Sequence, residues 1–256
     1  MESMKNKIVF ISGASSGIGK ACAEIFAENE CRLIICSRRF NVMEEIATDL
    51  KNKYGTEVLP LVLDVSNRKE VVEKIGSLPD DWRNVDILIN NAGGALGMEK
   101  FQNGNFADWD QMIDTNVKGV LYLSRLLLPR MIENNSGHII NIGSIAGTAA
   151  YPNGAVYCAA KSAVKLISDG IRIDTVDTKI RVTNIQPGLV ETNFSVVRFH
   201  GDEEKAANVY KGIESLTAED IADLVLYIAS VPSRVQICEV TVTPNNQANA
   251  TSVFRI

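Results

Sequence analysis

The chain has 256 residues, 46% of them hydrophobic, which is enough to bury the core of one sizeable α/β domain. Its 26 lysines and arginines against 31 aspartates and glutamates give a net charge of −5, and no apolar run approaches the ~20 residues of a membrane span, so we expect neither nucleic acid nor a membrane as partner. The five cysteines include no C-x-x-C pair and the two histidines, His138 and His200, lie far apart, so we expect a reducing cytoplasm and no metal site.

The first predicted strand, 7–12 (KIVFIS), is typical of a buried parallel strand, and the residues before it lack the basic and apolar segments of a secretory signal. A glycine-rich turn follows, and the apolar periodicity after it predicts a helix over 17–29. Strand, glycine turn and helix in this order are typical of a dinucleotide site, because the glycines let the backbone approach a pyrophosphate at the helix N-terminus. The spacing is G-x-x-x-G-x-G rather than the commoner G-x-G-x-x-G. The cofactor contacts expected here are Gly13, Ser15, Ser16, Gly17, Ile18 and Gly19.

The second predicted strand, 32–37, ends immediately before Arg38 and Arg39, and a helix is predicted over 41–53. An acidic residue at this strand end would bind an adenosine 2′-hydroxyl, whereas an arginine accommodates the 2′-phosphate of NADP. The pair therefore predicts NADP as the cofactor, with a solvated basic pair as the alternative interpretation.

The third predicted strand, 57–63, leads into Asp64 and Val65 and then into a helix over 67–77, for which Asp64 is a candidate cap. The fourth, 86–90, ends at Asn91, whose small neighbours in Asn-Asn-Ala-Gly would let the backbone approach a cofactor ribose. The same residues favour a turn, and a turn and a binding site are compatible.

A long helix is predicted over 107–134, with Pro129 expected to kink or tighten its end. Asn116 lies inside this helix although asparagine is a poor helix former. A surface position is the ordinary interpretation of such a residue.

Ser144 follows the fifth predicted strand, 138–143, and a helix over 155–176 would place Tyr157 and Lys161 one turn apart on the same face. A free tyrosine titrates near ~10, and a neighbouring ammonium would lower its pKa towards the range useful for proton transfer. The serine hydroxyl could hold a substrate carbonyl opposite the phenol. This arrangement suits moving a proton on oxygen while a cofactor moves a hydride.

The last predicted strands are 180–186, which ends at Pro187-Gly188, and 236–242, with a helix over 217–230 between them. The segment at about 192–212 matches neither clean strand nor clean helix, and a loop this long in a compact domain is usually functional. Tyr151 and Asn153, before the helix of Tyr157, are either walls of a substrate pocket or parts of a plain loop.

Alternation of strands and helices along the chain predicts a single-domain Rossmann fold over 1–256, an α/β doubly wound parallel sheet with helices on both faces. Ligands of such sheets bind at the carboxyl ends of the strands. The candidate residues that fall at predicted strand ends are Gly13, Arg38, Asp64, Asn91, Ser144 and Pro187.

Taken together, these motifs resemble the short-chain dehydrogenase/reductase family over almost the whole chain. The residues that carry the resemblance are the glycine turn, Asn90 to Gly93, Asn116, Ser144, Tyr157 to Lys161 and Pro187-Gly188. Ser12 is the one small departure, since the family often has threonine there. Four further stretches, around Leu96 to Glu99, Met112 to Asn116, Gly137 to Ser144 and Val197 to Asp202, are similar to the NADP-dependent 3-hydroxy acid (serine) dehydrogenase branch.

The resemblance implies roles that the residues alone do not give. It places Asp64 and Val65 beside the adenine and gives Asn116 a place in a proton relay through water to Lys161, which would also hold the nicotinamide ribose. It implies that Pro187, Gly188, Val190 and Thr192 border the cofactor, with the Thr192 hydroxyl at the nicotinamide carboxamide. It further implies that the segment 192–212 closes over substrate as a lid, and that the protein is a homotetramer with helices 107–134 and 155–176 at a dimer contact.

The sequence thus predicts an NADP-dependent enzyme that transfers a hydride between NADP(H) and a small 3-hydroxy acid, of the serine, allo-threonine or 3-hydroxypropionate type, or the corresponding oxo acid. Asn116, Ser144, Tyr157 and Lys161 are the predicted catalytic residues, and Ser144, Tyr157 and Arg198 are the predicted substrate contacts. Arg198 is proposed to bind the carboxylate, with an exposed loop arginine as the equal alternative. A reductase of 3-oxoacyl thioesters or other small carbonyl compounds and a catalytically silent NADP-binding sensor are the alternative functions.

Overall fold

A computed structural model describes residues 2–256 of the protein. Its centre is a parallel sheet of seven strands in the order β3-β2-β1-β4-β5-β6-β7. The strands are β1 (Ile8–Ser12), β2 (Arg32–Ser37), β3 (Val58–Val62), β4 (Ile87–Asn90), β5 (Gly137–Ile142), β6 (Ile180–Pro187) and β7 (Glu239–Val242). The predicted α/β doubly wound fold is therefore confirmed.

Nine α-helices connect or follow these strands in the described part of the chain. They are α1 (Gly17–Glu28), α2 (Phe40–Tyr54), α3 (Arg68–Gly76), α4 (Phe106–Ile113), α5 (Gly119–Glu133), α6 (Ala155–Asp174), α7 (Phe194–Arg198), α8 (Glu203–Tyr210) and α9 (Ala218–Ser230). Among residues 2–256, no helix is both long enough and apolar enough to cross a bilayer.

Helices cover both faces of the sheet, which explains why its strands are continuous apolar runs rather than alternating ones. In β1, Val9 and Ile11 pack into the cluster formed with α1, α2 and α9, whereas Ile8 and Phe10 pack into the cluster formed with α3 and α5. Successive side chains of a strand point to opposite faces, so each face receives half of the strand's apolar area. Phe26 of α1 is fully buried in the first cluster.

One prediction about the elements was wrong and another was incomplete. The helix predicted over 107–134 is present as a continuous helical run from Phe106 to Glu133, but a π-helical stretch that the sequence did not predict, Asp114–Lys118, lies between α4 and α5. The segment 192–212, predicted as an irregular loop, forms α7 and α8 with a turn at His200 and Gly201, which have φ of +53° and +93°. Five- and eight-residue helices are too short to show clear apolar periodicity, which is why the sequence pattern missed them. The helix α5 continues through Pro129 to Glu133.

The strand order reverses between β1 and β4, since β1 pairs with both β2 and β4. In open α/β sheets, this reversal opens a crevice at the carboxyl ends of the strands. The site is therefore expected where β1, β4 and β5 end.

Candidate active site

A cavity of about 800 Å³ lies at this edge of the sheet. Every predicted site residue borders it except Gly19 and Asn116, which lie behind its wall. Segments from six of the seven strand ends and from the C-terminus thus meet at one cavity.

The glycine turn brings α1 directly against β1. Gly13 and Gly17 have φ of +68° and +53°, which L side chains rarely adopt, and a Cβ on Gly19 would lie 2.4 Å from the carbonyl oxygen of Gly13. Within the described chain, Ser16 at the N-cap of α1 makes no side-chain capping bond, and the first turn contains no acidic residue. The N–H groups at the start of α1 are therefore available to an anion, which fits the pyrophosphate of a dinucleotide.

Ser12 and Asn91 join the glycine turn to the end of β4. The Ser12 hydroxyl accepts hydrogen bonds from the backbone N–H groups of Asn91 and Ala92, each at 3.0 Å. The Asn91 side chain donates to the carbonyl oxygens of Ser12 and Gly13 at 2.9 and 3.1 Å. Asn91 therefore holds the turn in shape as well as bordering the cavity.

The two arginines after β2 lie at the exposed rim of the cavity. The Arg39 guanidinium donates to the hydroxyl and carbonyl oxygens of Ser15 at 2.7 and 3.2 Å, so it lies beside the glycine turn. Arg38 borders the cavity from the same strand end. The structure thus brings two cations to the rim of the cavity beside the glycine turn.

Asp64 borders the cavity but does not cap the following helix. Its carboxylate accepts from the backbone N–H and the hydroxyl of Ser66 at 2.9 and 2.6 Å, forming a local turn. The cap of α3 is Asn67, whose side chain accepts from the N–H of Glu70 at 3.3 Å. The capping alternative for Asp64 was wrong, because the helix begins one turn later than that role requires.

Tyr157 and Lys161 share one face of α6 and are both buried, with exposures of 8% and 7%. The Lys161 ammonium donates to the carbonyl oxygen of Ile142 at 2.8 Å and lies 5.9 Å from the centre of the Tyr157 ring. Burial lowers the pKa of Lys161 to about 8.

The structure corrects the expected effect on Tyr157. Burial raises the pKa of the phenol above its ordinary value, the neighbouring Tyr151 adds to the increase, and a hydrogen bond with Ser144 opposes it. A lysine over the ring, bonded to a carbonyl, does not offset the cost of burying a phenolate. The phenol therefore carries its proton at neutral pH in this structure.

Asn116 is buried in the π-helical stretch between α4 and α5, so the surface interpretation was wrong. Its amide donates to the carbonyl oxygens of Gly94 and Met112, each at 2.8 Å, and accepts from the N–H of Gly94 at 3.2 Å. A Cβ on Gly93 would lie 2.5 Å from the Asn116 oxygen and 3.6 Å from the Lys161 nitrogen, so Gly93 lets these two side chains come close. Single π turns inside α-helices often occur at functional sites.

Arg198, at the end of α7, lies directly beside the phenols of the cavity. Its guanidinium carbon is 5.6 Å from the centre of the Tyr151 ring and 6.0 Å from that of Tyr157. Its Nε donates to the carbonyl oxygen of Gly97 at 3.3 Å, and the N–H of Gly97 donates to the carbonyl oxygen of Arg198 at 2.9 Å. The backbone of α7 is thus fixed to the Gly97 loop, and the outer edge of the guanidinium is left for a ligand.

Tyr151 is therefore part of the cavity wall, whereas Asn153 borders a small neighbouring cavity of about 70 Å³. Burial raises the pKa of Tyr151, and the charge of Arg198 and a hydrogen bond with it oppose that increase. The arrangement offers a phenolic proton, a buried amine and a cation within one cavity. Among residues 2–256, no group of three His, Cys, Asp or Glu side chains could hold a metal ion.

Several cavity residues were missed from the sequence. Tyr210 of α8 and the C-terminal residues Gln247, Thr251, Val253 and Arg255 border the cavity. The C-terminal residues lie outside any periodic segment and match no motif, so no sequence signal identifies them.

The family model for short chain dehydrogenase matches residues 7–203. The chain is 47% identical to the NADP-dependent 3-hydroxy acid dehydrogenase of Schizosaccharomyces pombe over 256 residues, covering 100% of this chain and 99% of that protein. It is 43% identical over 244 residues to the NADP-dependent 3-hydroxy acid dehydrogenase YdfG of Escherichia coli K12, covering 95% and 97% of the two chains. Among solved structures, it is similar to the closed form of serine dehydrogenase complexed with NADP⁺, with a TM-score of 0.90, 42% identity, and coverage of 97% and 100% of the two chains.

Proposed function

Because the chain belongs to the short-chain dehydrogenase family, we propose that it transfers a hydride between NADP(H) and a small 3-hydroxy acid or the corresponding oxo acid. The relatives named above carry this activity or a cofactor of this kind in their names. The observation that carries the substrate assignment is the position of Arg198 beside Tyr157.

The residues around the glycine turn fit NADP. The N-terminus of α1 would bind the pyrophosphate, and Arg38 and Arg39 at the rim would bind the 2′-phosphate. Each charge-assisted hydrogen bond to the phosphate contributes about 1.5–3 kcal/mol, so these arginines select NADP over NAD. When bound, the cofactor supplies the group that accepts or donates the hydride.

Tyr157 moves the proton of the reaction. For ketone reduction, its buried, protonated phenol donates the proton to the substrate oxygen, and for alcohol oxidation, the phenolate accepts it. Ser144, hydrogen-bonded to the same phenol, orients the substrate oxygen. Lys161 holds the ribose of the cofactor, and Asn116 supports a proton relay from behind the cavity wall.

Arg198 binds the substrate carboxylate. The planar guanidinium faces the two phenols of the cavity, its Nε donates to the Gly97 carbonyl oxygen, and it is hydrogen-bonded to Tyr151. Its remaining N–H groups can donate to a carboxylate. Lys161 is the less suitable partner for the carboxylate, because its ammonium donates to the Ile142 carbonyl and is assigned to the cofactor ribose. The 6.0 Å between the Arg198 guanidinium carbon and the centre of the Tyr157 ring supports a substrate whose carboxylate and reacting hydroxyl are close together, as in a small hydroxy acid.

A substrate screen tests this proposal. Reduction of NADP or NAD is measured with serine, allo-threonine, 3-hydroxypropionate and uncharged alcohols of similar size. Arg198→Ala should raise KM for the acids by about tenfold or more, the loss of one charged hydrogen bond, while sparing the uncharged alcohols. Arg234 is exposed, and Arg234→Ala is the matched control, which should change KM neither for the acids nor for the uncharged alcohols. Equal losses on charged and uncharged substrates would assign Arg198 to packing instead.

A second pair of variants tests the cofactor assignment. Neutral residues at both Arg38 and Arg39 should weaken NADP binding strongly and NAD binding little, because only NADP carries the additional phosphate. Equal weakening of both cofactors would show that the pair maintains the turn instead.

We also propose that the protein is a cytoplasmic homotetramer. The five cysteines are free thiols in the described chain and four of them are buried, which suits a reducing compartment. Exposed apolar side chains on α5 and α6, among them Leu121, Leu166 and Ile173, support contacts between copies through these helices.

A further inference from the structure

The C-terminal residues 244–256 fold into a tight hairpin, which we call the C-terminal hairpin. Gln247 and Val253 form an antiparallel bridge in it. Asn246 and Phe254 are joined by two hydrogen bonds, one from the backbone N–H of Phe254 and one from the side chain of Asn246, each at 2.9 Å. The hairpin is therefore an ordered element that borders the cavity.

One end of the C-terminal hairpin is attached to the segment that follows β6. Gln247 is 5% exposed, and its side-chain oxygen accepts from the N–H of Leu189 at 2.8 Å. A Cβ on Gly188 would lie 2.3 Å from this oxygen, so the glycine makes room for the contact. This attachment lies next to Val190, on the cofactor side of the cavity.

The other end is attached to the C-terminus of α8. The Arg255 guanidinium donates to the carbonyl oxygens of Lys211 and Val209 at 2.5 and 3.1 Å, and the N–H of Ile256 donates to the carbonyl oxygen of Gly212 at 3.0 Å. Carbonyls at a helix C-terminus lack partners within the helix and carry partial negative charge, so an arginine there is stabilising. Gly212 has a φ of +72°, and a Cβ on it would lie 2.7 Å from the carbonyl oxygen of Ile256.

From α8 the contacts continue to Arg198. The hydroxyl of Tyr210, the last residue of α8, donates to the carbonyl oxygen of Val190 at 3.2 Å and accepts from the hydroxyl of Ser195 at 2.7 Å. Ser195 is buried in α7, which ends at Arg198. Arg255 thus holds the carbonyls of Val209 and Lys211, which flank Tyr210 in the chain, and the Tyr210 side chain in turn bonds to Ser195 in the helix that carries Arg198.

We propose that Arg255 and Ile256 form a latch that holds α8, and through Tyr210 and Ser195 the helix α7, in the position where Arg198 meets the substrate carboxylate. Arg255 is a positioning residue here, since its guanidinium is occupied by the carbonyls of Val209 in α8 and of Lys211 directly after it. The effect on substrate binding depends on the proposed function, but the attachment of α8 does not.

The test compares the full chain with a chain that ends at Phe254, with Arg255→Ala, and with Arg234→Ala as the matched surface control. Backbone hydrogen exchange of the enzyme without substrate is measured over α8. Loss of the latch should increase exchange there about tenfold, the effect of losing one charged hydrogen bond, and leave the central strands unchanged. Unchanged exchange in α8 of both the shortened chain and Arg255→Ala would overturn the proposal, whichever substrate the enzyme uses.

Kinetics give the second readout. In the shortened chain, KM for hydroxy acids should rise about fivefold or more, kcat should change less than twofold, and uncharged alcohols should be spared, because only positioning of Arg198 is lost. Equal effects on kcat and on both substrate classes would contradict the proposal.

Gly212→Ala probes the same contact from α8. It should raise KM in the full chain more than in the shortened chain, because the clash with Ile256 exists only in the full chain. Additive effects of Gly212→Ala and the truncation would show that the two sites are not coupled and would contradict the latch.

Discussion

At the scale of single residues, the protonation state of Tyr157 determines how the rate of each reaction direction depends on pH. Burial raises the pKa of Tyr157, so the phenol is protonated at neutral pH. Reduction requires the protonated phenol and oxidation requires the phenolate. We therefore expect kcat/KM for oxidation of a hydroxy acid to rise with pH through the neutral range. We expect kcat/KM for reduction to be level at neutral pH and to fall at alkaline pH, where Lys161, with a pKa of about 8, also loses its proton. Rates measured in both directions from pH 6 to 10 test this, and an oxidation rate independent of pH would contradict it.

Replacing Tyr157 with phenylalanine removes the ionisable oxygen and keeps the ring, which packs 5.8 Å from the ring of Phe194. We expect turnover to fall about 100-fold or more, the usual contribution of general acid–base catalysis, with NADP still bound. Steady-state rates and the affinity for NADP, measured by protein fluorescence, are the two readouts. Near-normal turnover would show that another group transfers the proton.

Contacts between elements hold the cofactor turn. The buried Ser12 hydroxyl accepts from two backbone N–H groups at the end of β4, so it joins the ends of β1 and β4. Ser12→Ala should lower the free energy of unfolding by about 0.5–1.5 kcal/mol, because the part-buried N–H of Ala92 loses its acceptor. Urea unfolding with Ser12→Thr as control, which keeps the hydroxyl, measures this. A loss as large in the threonine variant would indicate a packing effect instead.

The elements also show where local sequence patterns are insufficient. The helix predicted over 107–134 has the apolar periodicity of one helix, but the Asn116 side chain bonds to the Gly94 loop, and a π turn accommodates it. Similarly, α7 and α8 contain too few turns for a periodic pattern, and their positions depend on contacts with Gly97, Val190 and Arg255.

At the scale of the whole molecule, the exposed apolar residues of α5 and α6 predict association between copies. Leu166 and Ile173 lie two turns apart on α6 with exposures of 68% and 72%. We expect a tetramer by light scattering, and Leu166→Glu should dissociate it, because a charge would be buried at the contact. Val72→Glu, at a 51% exposed position on α3, is the matched control and should stay tetrameric. If the unsubstituted protein is a monomer, the proposed tetramer is wrong.

By itself, the sequence determined which elements form along the chain and which candidate residues follow the strands. Apolar runs bounded by glycine and proline, the turn from Gly13 to Gly19 and the one-turn spacing of Tyr157 and Lys161 are local patterns, and local patterns depend on residues close together in the chain. They were enough to predict the parallel sheet, the helices on both faces and the edge where ligands bind.

Only the tertiary structure decided how the separate segments act together. Arg198 and Gly97 are 101 residues apart in sequence, and packing of α7 against that loop brings the guanidinium to the phenols. The raised pKa of Tyr157 and the lowered pKa of Lys161 follow from burial, and the attachment of the C-terminal hairpin to α8 follows from contacts between distant segments. Such quantities depend on which surfaces are removed from water, and no spacing within the chain encodes that.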